Sequence, residues 1–133
     1  GNTELVSNAL KVSATTLDAI LKRPVTGTVF IKIDAEGAES AILQGASSTI
    51  ANLRPIISIE VGGYEEWNKS TKDALELLNN SNYRLYSIES TGALVPHIPD
   101  TLYGYDNLVA IPSEKVSVYS RLIKPVIFNS PAS

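Results

Sequence analysis

Cysteine is absent from this 133-residue chain, which excludes disulfides, thiolate metal sites and a cysteine nucleophile. That absence fits a reducing compartment, so a cytoplasmic location is expected. Methionine is absent too, even at position 1; Gly1 reads as a cut site or tag remnant, and the natural protein is expected to begin further upstream. Histidine occurs once, which leaves little for an imidazole metal centre. No apolar run approaches the roughly 20 residues that crossing a bilayer requires. Gly1-Asn2-Thr3-Glu4 has neither the basic nor the apolar region of a signal peptide. An excess of positive charge is also missing. Lys plus Arg is 11, Asp plus Glu is 14, and the net charge of −3 implies no broad attraction to nucleic acid or anionic lipid.

What is present is an ordinary globular balance, 44% hydrophobic and 19% charged, long enough for one real core. Residues 1–133 read as a single domain with a tail over 113–133. Leu10 to Ala14 reads as extended. Thr15 and Asp18 have capping-box spacing, with Leu17, Ile20 and Leu21 on one side of a short helix that Pro24 ends. Val29 to Ile33 is apolar and β-rich, as expected of a strand buried on both faces of a parallel sheet. Ala38 to Leu53 has helical spacing and many small residues, and Pro55 stops it. Ile56 to Val61 is a second buried-type strand, followed by Gly62-Gly63. Ser70 caps a helix running to Asn80. Tyr83 to Ile88 alternates as a strand, Thr91-Gly92 turns, and Pro96 to Tyr105 is a loop. Asn107 to Ile111 is a last strand, with one helical turn near Val116 to Leu122. Alternation of this kind implies an α/β fold with a mostly parallel sheet, closed by an antiparallel strand pair at one edge.

In an open α/β sheet, ligands bind beyond the carboxyl ends of the strands. Asp34, Glu36, Gly37 and Glu39 follow the first strand. Carboxylates there serve as helix caps, but three within six positions exceed what a cap needs. Clustered carboxylates raise one another's pKa and yield a general base, or hold a divalent cation. Glu60 sits inside an apolar strand, where an unpaired charge is costly, unless it lies just past the buried stretch. Lys32 needs a carboxylate partner or an edge reaching water, and Asp34 points to the same face. His97 lies in a loop between Pro96 and Ile98, where histidine is either incidental or a general base. Tyr64, Tyr103 and Tyr105 either line a pocket or cover the edge of the core.

The run Phe30-Ile31-Lys32-Ile33-Asp34-Ala35-Glu36-Gly37-Ala38-Glu39, continuing to Ile42-Leu43-Gln44-Gly45-Ala46, resembles the signature of FkbM-type methyltransferases, typically Lys-Ile-Asp-Val-Glu-Gly-Ala-Glu followed by Val-Leu-Lys-Gly-Ala. Thr16-Leu17-Asp18, Arg54 to Val61 and Asn107 to Pro112 are similar to the family's flanking segments, in the family's order. The resemblance implies a Rossmann-like class I methyltransferase fold, with strand order 3-2-1-4-5-7-6, represented here by its C-terminal half. On that map Val29–Ile33 is the fourth strand and Ile56–Val61 the fifth. It implies methyl transfer from S-adenosylmethionine to a hydroxyl of a small-molecule acceptor such as a sugar, lipid or polyketide. Asp34, Glu36 and Glu60 then map to the catalytic face. Lys32, Gly37, Glu39, Tyr64, His97 and Asn107 map to the acceptor side.

The family's glycine-rich first turn and its ribose-binding acid have no counterpart here, so cofactor-binding residues are not assigned, and the domain reads as partial. The open Val29–Ile33 edge is then expected to be covered by a second copy or a complementing chain. Two other readings stand beside this one. One is a non-catalytic binding or assembly module built from a truncated fold. The other is a metal-dependent hydrolase using Asp34, Glu36 and Glu60.

Overall fold

The structure is a computed structural model that describes residues 8–125. Gly1 to Glu4 and the end of the expected 113–133 tail lie outside those residues. Five strands form one open mixed sheet: β1 (Phe30–Ile33), β2 (Ile56–Val61), β3 (Tyr83–Ile88), β4 (Leu94–Pro96) and β5 (Asp106–Pro112), in the order β1-β2-β5-β3-β4. The helices are α1 (Leu17–Ile20), α2 (Glu39–Gln44), α3 (Ser47–Leu53) and α4 (Asn68–Asn80), with 3-10 segments at Glu65–Trp67 and Ser113–Leu122.

The mostly parallel sheet expected from the alternation is not what forms. Only the β1–β2 ladder is parallel; β2–β5, β3–β5 and β3–β4 are antiparallel. The reason is where the last strand goes. β5 enters between β2 and β3 and runs against both, so the strands joined through α4 point the same way without touching. The expected antiparallel pair of β3 and β5 is present, yet it is internal. The edge belongs to β4, three residues ending in a proline and too short to stand out in the sequence.

One face of the sheet carries the core. Ile33, Ile57, Ile59, Val61, Leu108 and Ala110 meet Leu43, Ile50, Ala74 and Leu78 from α2, α3 and α4. Each fully buried aliphatic side chain contributes about 1.5–3 kcal/mol of transfer free energy. The other face is covered only in part. Val116, Tyr119 and Ile123 of the tail pack on Tyr86, Leu94 and Ile111. Over β1 that face is open, and Phe30 is 61% exposed. Burial of β1 on both faces therefore does not occur: helices cover one side of it, and no strand pairs beyond it among the described residues.

Four local expectations change. The helix expected over Ala38 to Leu53 breaks at Gly45-Ala46. The 16–18 segment docks there: the Asp18 amide donates to the Gly45 carbonyl at 3.0 Å, and a Cβ on Gly45 would stand 3.0 Å from Cγ2 of Thr16. The cap of α1 is Thr16, not Thr15, and Asp18 serves a different helix. Its Oδ2 accepts from the Ser48 amide at 2.9 Å, and its Oδ1 accepts from the Thr49 amide at 2.8 Å and the Thr49 hydroxyl at 2.7 Å. Asp18 thus supplies the N-terminal cap that Ala46 cannot. Finally, α4 begins at Asn68, because the 3-10 turn leads into it, and Ser70 accepts from the Ser40 amide instead of capping. The single turn expected near Val116 to Leu122 is a longer 3-10 segment that kinks at Tyr119.

Candidate functional site

The carboxyl ends of β1 and β2 lie side by side in the parallel ladder, so the residues that close these strands converge. Lys32 pairs with Ser58, and Glu60 stands opposite Asn107. By alternation Lys32, Asp34, Ser58, Glu60 and Asn107 share the face that the helices leave open. Lys32 Nζ lies 3.4 Å from Asp34 Oδ2, with the two side chains 53% and 49% exposed. An ion pair that open adds little stability and mainly sets orientation.

Asp34 and Glu60 titrate as neighbours. Glu60 beside it, and then Lys32, hold the Asp34 carboxyl below the usual carboxylate range. The Asp34 carboxylate pushes Glu60 up, against the Tyr105 hydroxyl, which favours the charged form of Glu60. The Tyr105 hydroxyl is pushed up in turn, chiefly by Glu60. The two carboxyls are thus pushed in opposite directions, Asp34 down and Glu60 up. A split of this kind equips a site to take and return one proton.

The three carboxylates that follow β1 take three separate positions. Asp34 faces Glu60. Glu36 is exposed, in the left-handed region at φ 48°. Glu39 turns inward and is only 4% exposed. Its Oε1 accepts from the Ala35 and Gly37 amides at 3.2 Å, and its Oε2 from Gly37 at 3.1 Å. The 34–37 loop therefore wraps around a buried carboxylate with charge-assisted bonds that fix its shape. Among the described residues, no three His, Cys, Asp or Glu side chains are placed to hold a metal ion. A metal-dependent hydrolase built on Asp34, Glu36 and Glu60 has no ligand set here.

Trp67, the sole tryptophan, packs between two glycines. A Cβ on Gly37 would stand 2.6 Å from its ring, and one on Gly63 would stand 2.8 Å away. Tyr64 meets Trp67 edge-on, with centroids 4.7 Å apart. Gly62, at φ 80°, admits the 97–105 segment so closely that a Cβ would lie 2.1 Å from the Gly104 carbonyl oxygen. The glycines at the end of β2 are thus filled by the protein's own chain. Trp67 was not singled out in the sequence; its position four residues after Gly63 was the available signal. Tyr105, expected either to line a pocket or to cover the edge of the core, borders a cavity.

His97 stands apart from the carboxylate pair. Its Nδ1 lies 3.3 Å from Ser87 Oγ and its Nε2 3.0 Å from the Tyr103 hydroxyl, against which the ring tilts. Burial pushes its pKa down, so it is neutral at pH 7. His97 and Tyr103 form a wall shared by two cavities. One, about 450 Å³, also reaches Tyr105 and Asp106. The other, about 580 Å³, lies between α4 and β3, away from the carboxylates.

A family model described as Methyltransferase FkbM domain matches residues 3–85, more than half of the chain. No curated protein and no solved structure matches it.

Proposed function

Because the chain belongs to the FkbM methyltransferase family, we propose that it is the acceptor-side half of an S-adenosylmethionine-dependent O-methyltransferase with a Rossmann-like class I fold. The order β1-β2-β5-β3, with β5 reversed, supports that reading, since the implied map has its strands 4-5-7-6 in this order. The observation that carries the function is the Asp34–Glu60 pair at the carboxyl ends of the parallel strands, with Tyr105 beside it. In this reading Glu60 takes the acceptor hydroxyl's proton, Asp34 stays charged and keeps Glu60 basic, and Lys32 orients Asp34. Asn107 and Glu36 border the acceptor, and Gly37 and Glu39 hold the loop that presents Asp34.

The described residues do not fit the methyl donor. β1 is followed by a loop closed on Glu39, and the Gly62-Gly63 turn is occupied by Trp67 and Gly104. In this reading the donor's site is contributed by a complementing segment across the β1 edge, where no strand pairs among the described residues. Two measurements test this. Calorimetry of the chain with S-adenosylmethionine and S-adenosylhomocysteine is expected to show no binding at millimolar ligand; micromolar binding would sink the half-enzyme reading. Carbon-13 titration of the side-chain carboxyls is expected to place Glu60 above the ordinary glutamate range and to return it there in Asp34→Asn. A Glu60 that titrates normally in the parent chain removes the proton-transfer role.

A second reading, a non-catalytic assembly module, is favoured by the same bare edge. It predicts association through β1 that is indifferent to Glu60→Gln.

A further inference from the structure

We infer that Trp67 and Asn68, adjacent where the 3-10 turn runs into α4, are positioning residues for the carboxylate pair: between them they hold the segments that carry Asp34, Glu60 and Tyr105. The inference rests on the acceptor-side reading and deepens it by naming what keeps that site assembled. Asp34 lies in the loop after β1, and that loop meets Trp67 at Gly37, where a Cβ would stand 2.6 Å from Cδ1 of the indole. Glu60 lies in β2, and the turn after β2 meets the same ring at Gly63, where a Cβ would stand 2.8 Å from Cε3. One rigid ring thus spaces the two backbones, and any side chain at either glycine would push them off it. Tyr64, edge-on to Trp67 with centroids 4.7 Å apart, steadies the ring.

Tyr105 belongs to a third segment, and Asn68 ties that one down. Its Oδ1 accepts from the Tyr103 amide at 3.1 Å, and its Nδ2 donates to the Thr101 carbonyl at 3.4 Å. A primary amide does both at once, whereas a carboxylate could only accept and an ammonium only donate. Between Tyr103 and Tyr105 the chain has only Gly104, which passes against Gly62. The Tyr105 ring then leans on the turn that Trp67 supports, with its Cδ2 3.7 Å from where a Cβ on Gly63 would stand. Its hydroxyl lies beside Glu60. Two neighbouring side chains therefore reach all three segments, although neither is a titrating group.

NMR on the chain tests this by position, without turnover. The parent is expected to show a nuclear Overhauser contact between the Tyr105 ring and the Gly63 α-protons. Asn68→Ala is expected to weaken that contact at least about threefold and to speed exchange of the Tyr103 amide about tenfold, the scale of one lost hydrogen bond. It should also move the Glu60 carboxyl further up and the Tyr105 hydroxyl back down, because each loses the other as a hydrogen-bond partner. Trp67→Ala is expected to narrow the gap between the Asp34 and Glu60 titrations, and Trp67→Phe, which keeps a flat ring, to restore most of it. Lys69→Ala, next along α4 and engaged with Asp73, leaves every readout at its parent value. Asn68→Ala, at a half-buried polar position, decides the inference even where Trp67→Ala does not fold. A Tyr105–Gly63 contact of parent strength in Asn68→Ala overturns it, as does a Glu60 that stays put although the Tyr103 amide opens. A Glu60 that titrates normally in the parent sinks the proton-transfer reading instead, and the Tyr105–Gly63 contact still judges the positioning, so the two failures stay separate.

Discussion

At one edge of the sheet, β4 is three residues long, ends in Pro96 and is met by the tail. Leu94 bridges Ile123, the Lys124 amide donates to the Leu94 carbonyl at 2.8 Å, and Lys124 Nζ lies 3.3 Å from Glu89. At the other edge, β1 offers Phe30 to Ile33 with no partner strand among the described residues, and Phe30 is 61% exposed. A short, proline-ended, covered strand is how proteins finish a sheet, whereas a bare apolar strand is a template for another chain. The sheet is thus covered at its β4 end, while at its β1 end no further strand pairs among the described residues. The carboxylate pair lies at the β1 end.

The largest effect is expected where the tail leaves β5. Arg54 leaves α3 in the left-handed region, and its guanidinium holds Glu114 bidentately at 2.6 and 2.9 Å. It also donates to the carbonyls of Ser81 and Asn82 and lies over the Tyr83 ring. Arg54→Ala loses all of these at once and strands the Ser81 carbonyl, while the Asn82 carbonyl keeps the Ser113 amide and hydroxyl, so a loss of about 2 kcal/mol is expected in urea unfolding. A loss under about 0.5 kcal/mol would mean that the tail is not locked on. The next effect belongs to the open edge. Phe30→Lys is expected to weaken self-association at least tenfold in sedimentation velocity, with stability changed by no more than about 0.5 kcal/mol, as for an ordinary surface substitution. If the parent chain sediments as a monomer at high concentration, the edge pairs with something other than a second copy.

The sequence carried more of the long strands than of the joints between elements. β1, β2, β3 and β5 are legible because each is an apolar, β-branched run, and the sharing of a face by Lys32 and Asp34 follows from alternation alone. β4 is not legible, because three residues have no periodicity and the tail holds them in place. The break between α2 and α3 is not legible either: its cause, the docking of Thr16 and Asp18, lies about 30 residues away in the chain. At the site, Asp34 and Glu60 were visible as unusual residues. Their pairing needed the β1–β2 register, and Tyr105 needed β5 to insert beside β2. Glu39 looked like one more acid of a cluster, and only burial shows that it is committed to backbone amides.

The smallest expected effect separates the two ends by pH. Arg54 holds the Glu114 carboxyl down at about 2, well below its ordinary 4.5. A depressed folded-state pKa contributes stability that is present above the unfolded value and lost as pH falls through the folded one. The tail's contribution should therefore fade between about pH 4.5 and pH 2. Glu114 is 52% exposed, so solvent screening keeps that contribution to about 1 kcal/mol or less. At the open end the signs oppose. Asp34 is held low and so adds stability that acid removes, whereas Glu60 is held high and so costs stability as pH rises through its range. Glu114→Gln should flatten the acid limb of the stability curve below pH 4.5, while Glu60→Gln should leave that limb and raise stability slightly near neutrality. Urea midpoints taken at intervals from pH 2.5 to pH 7 decide it. If Glu114→Gln leaves the acid limb intact, the tail does not owe its attachment to the Arg54 pair, and the contrast between the two edges rests on backbone bridging alone.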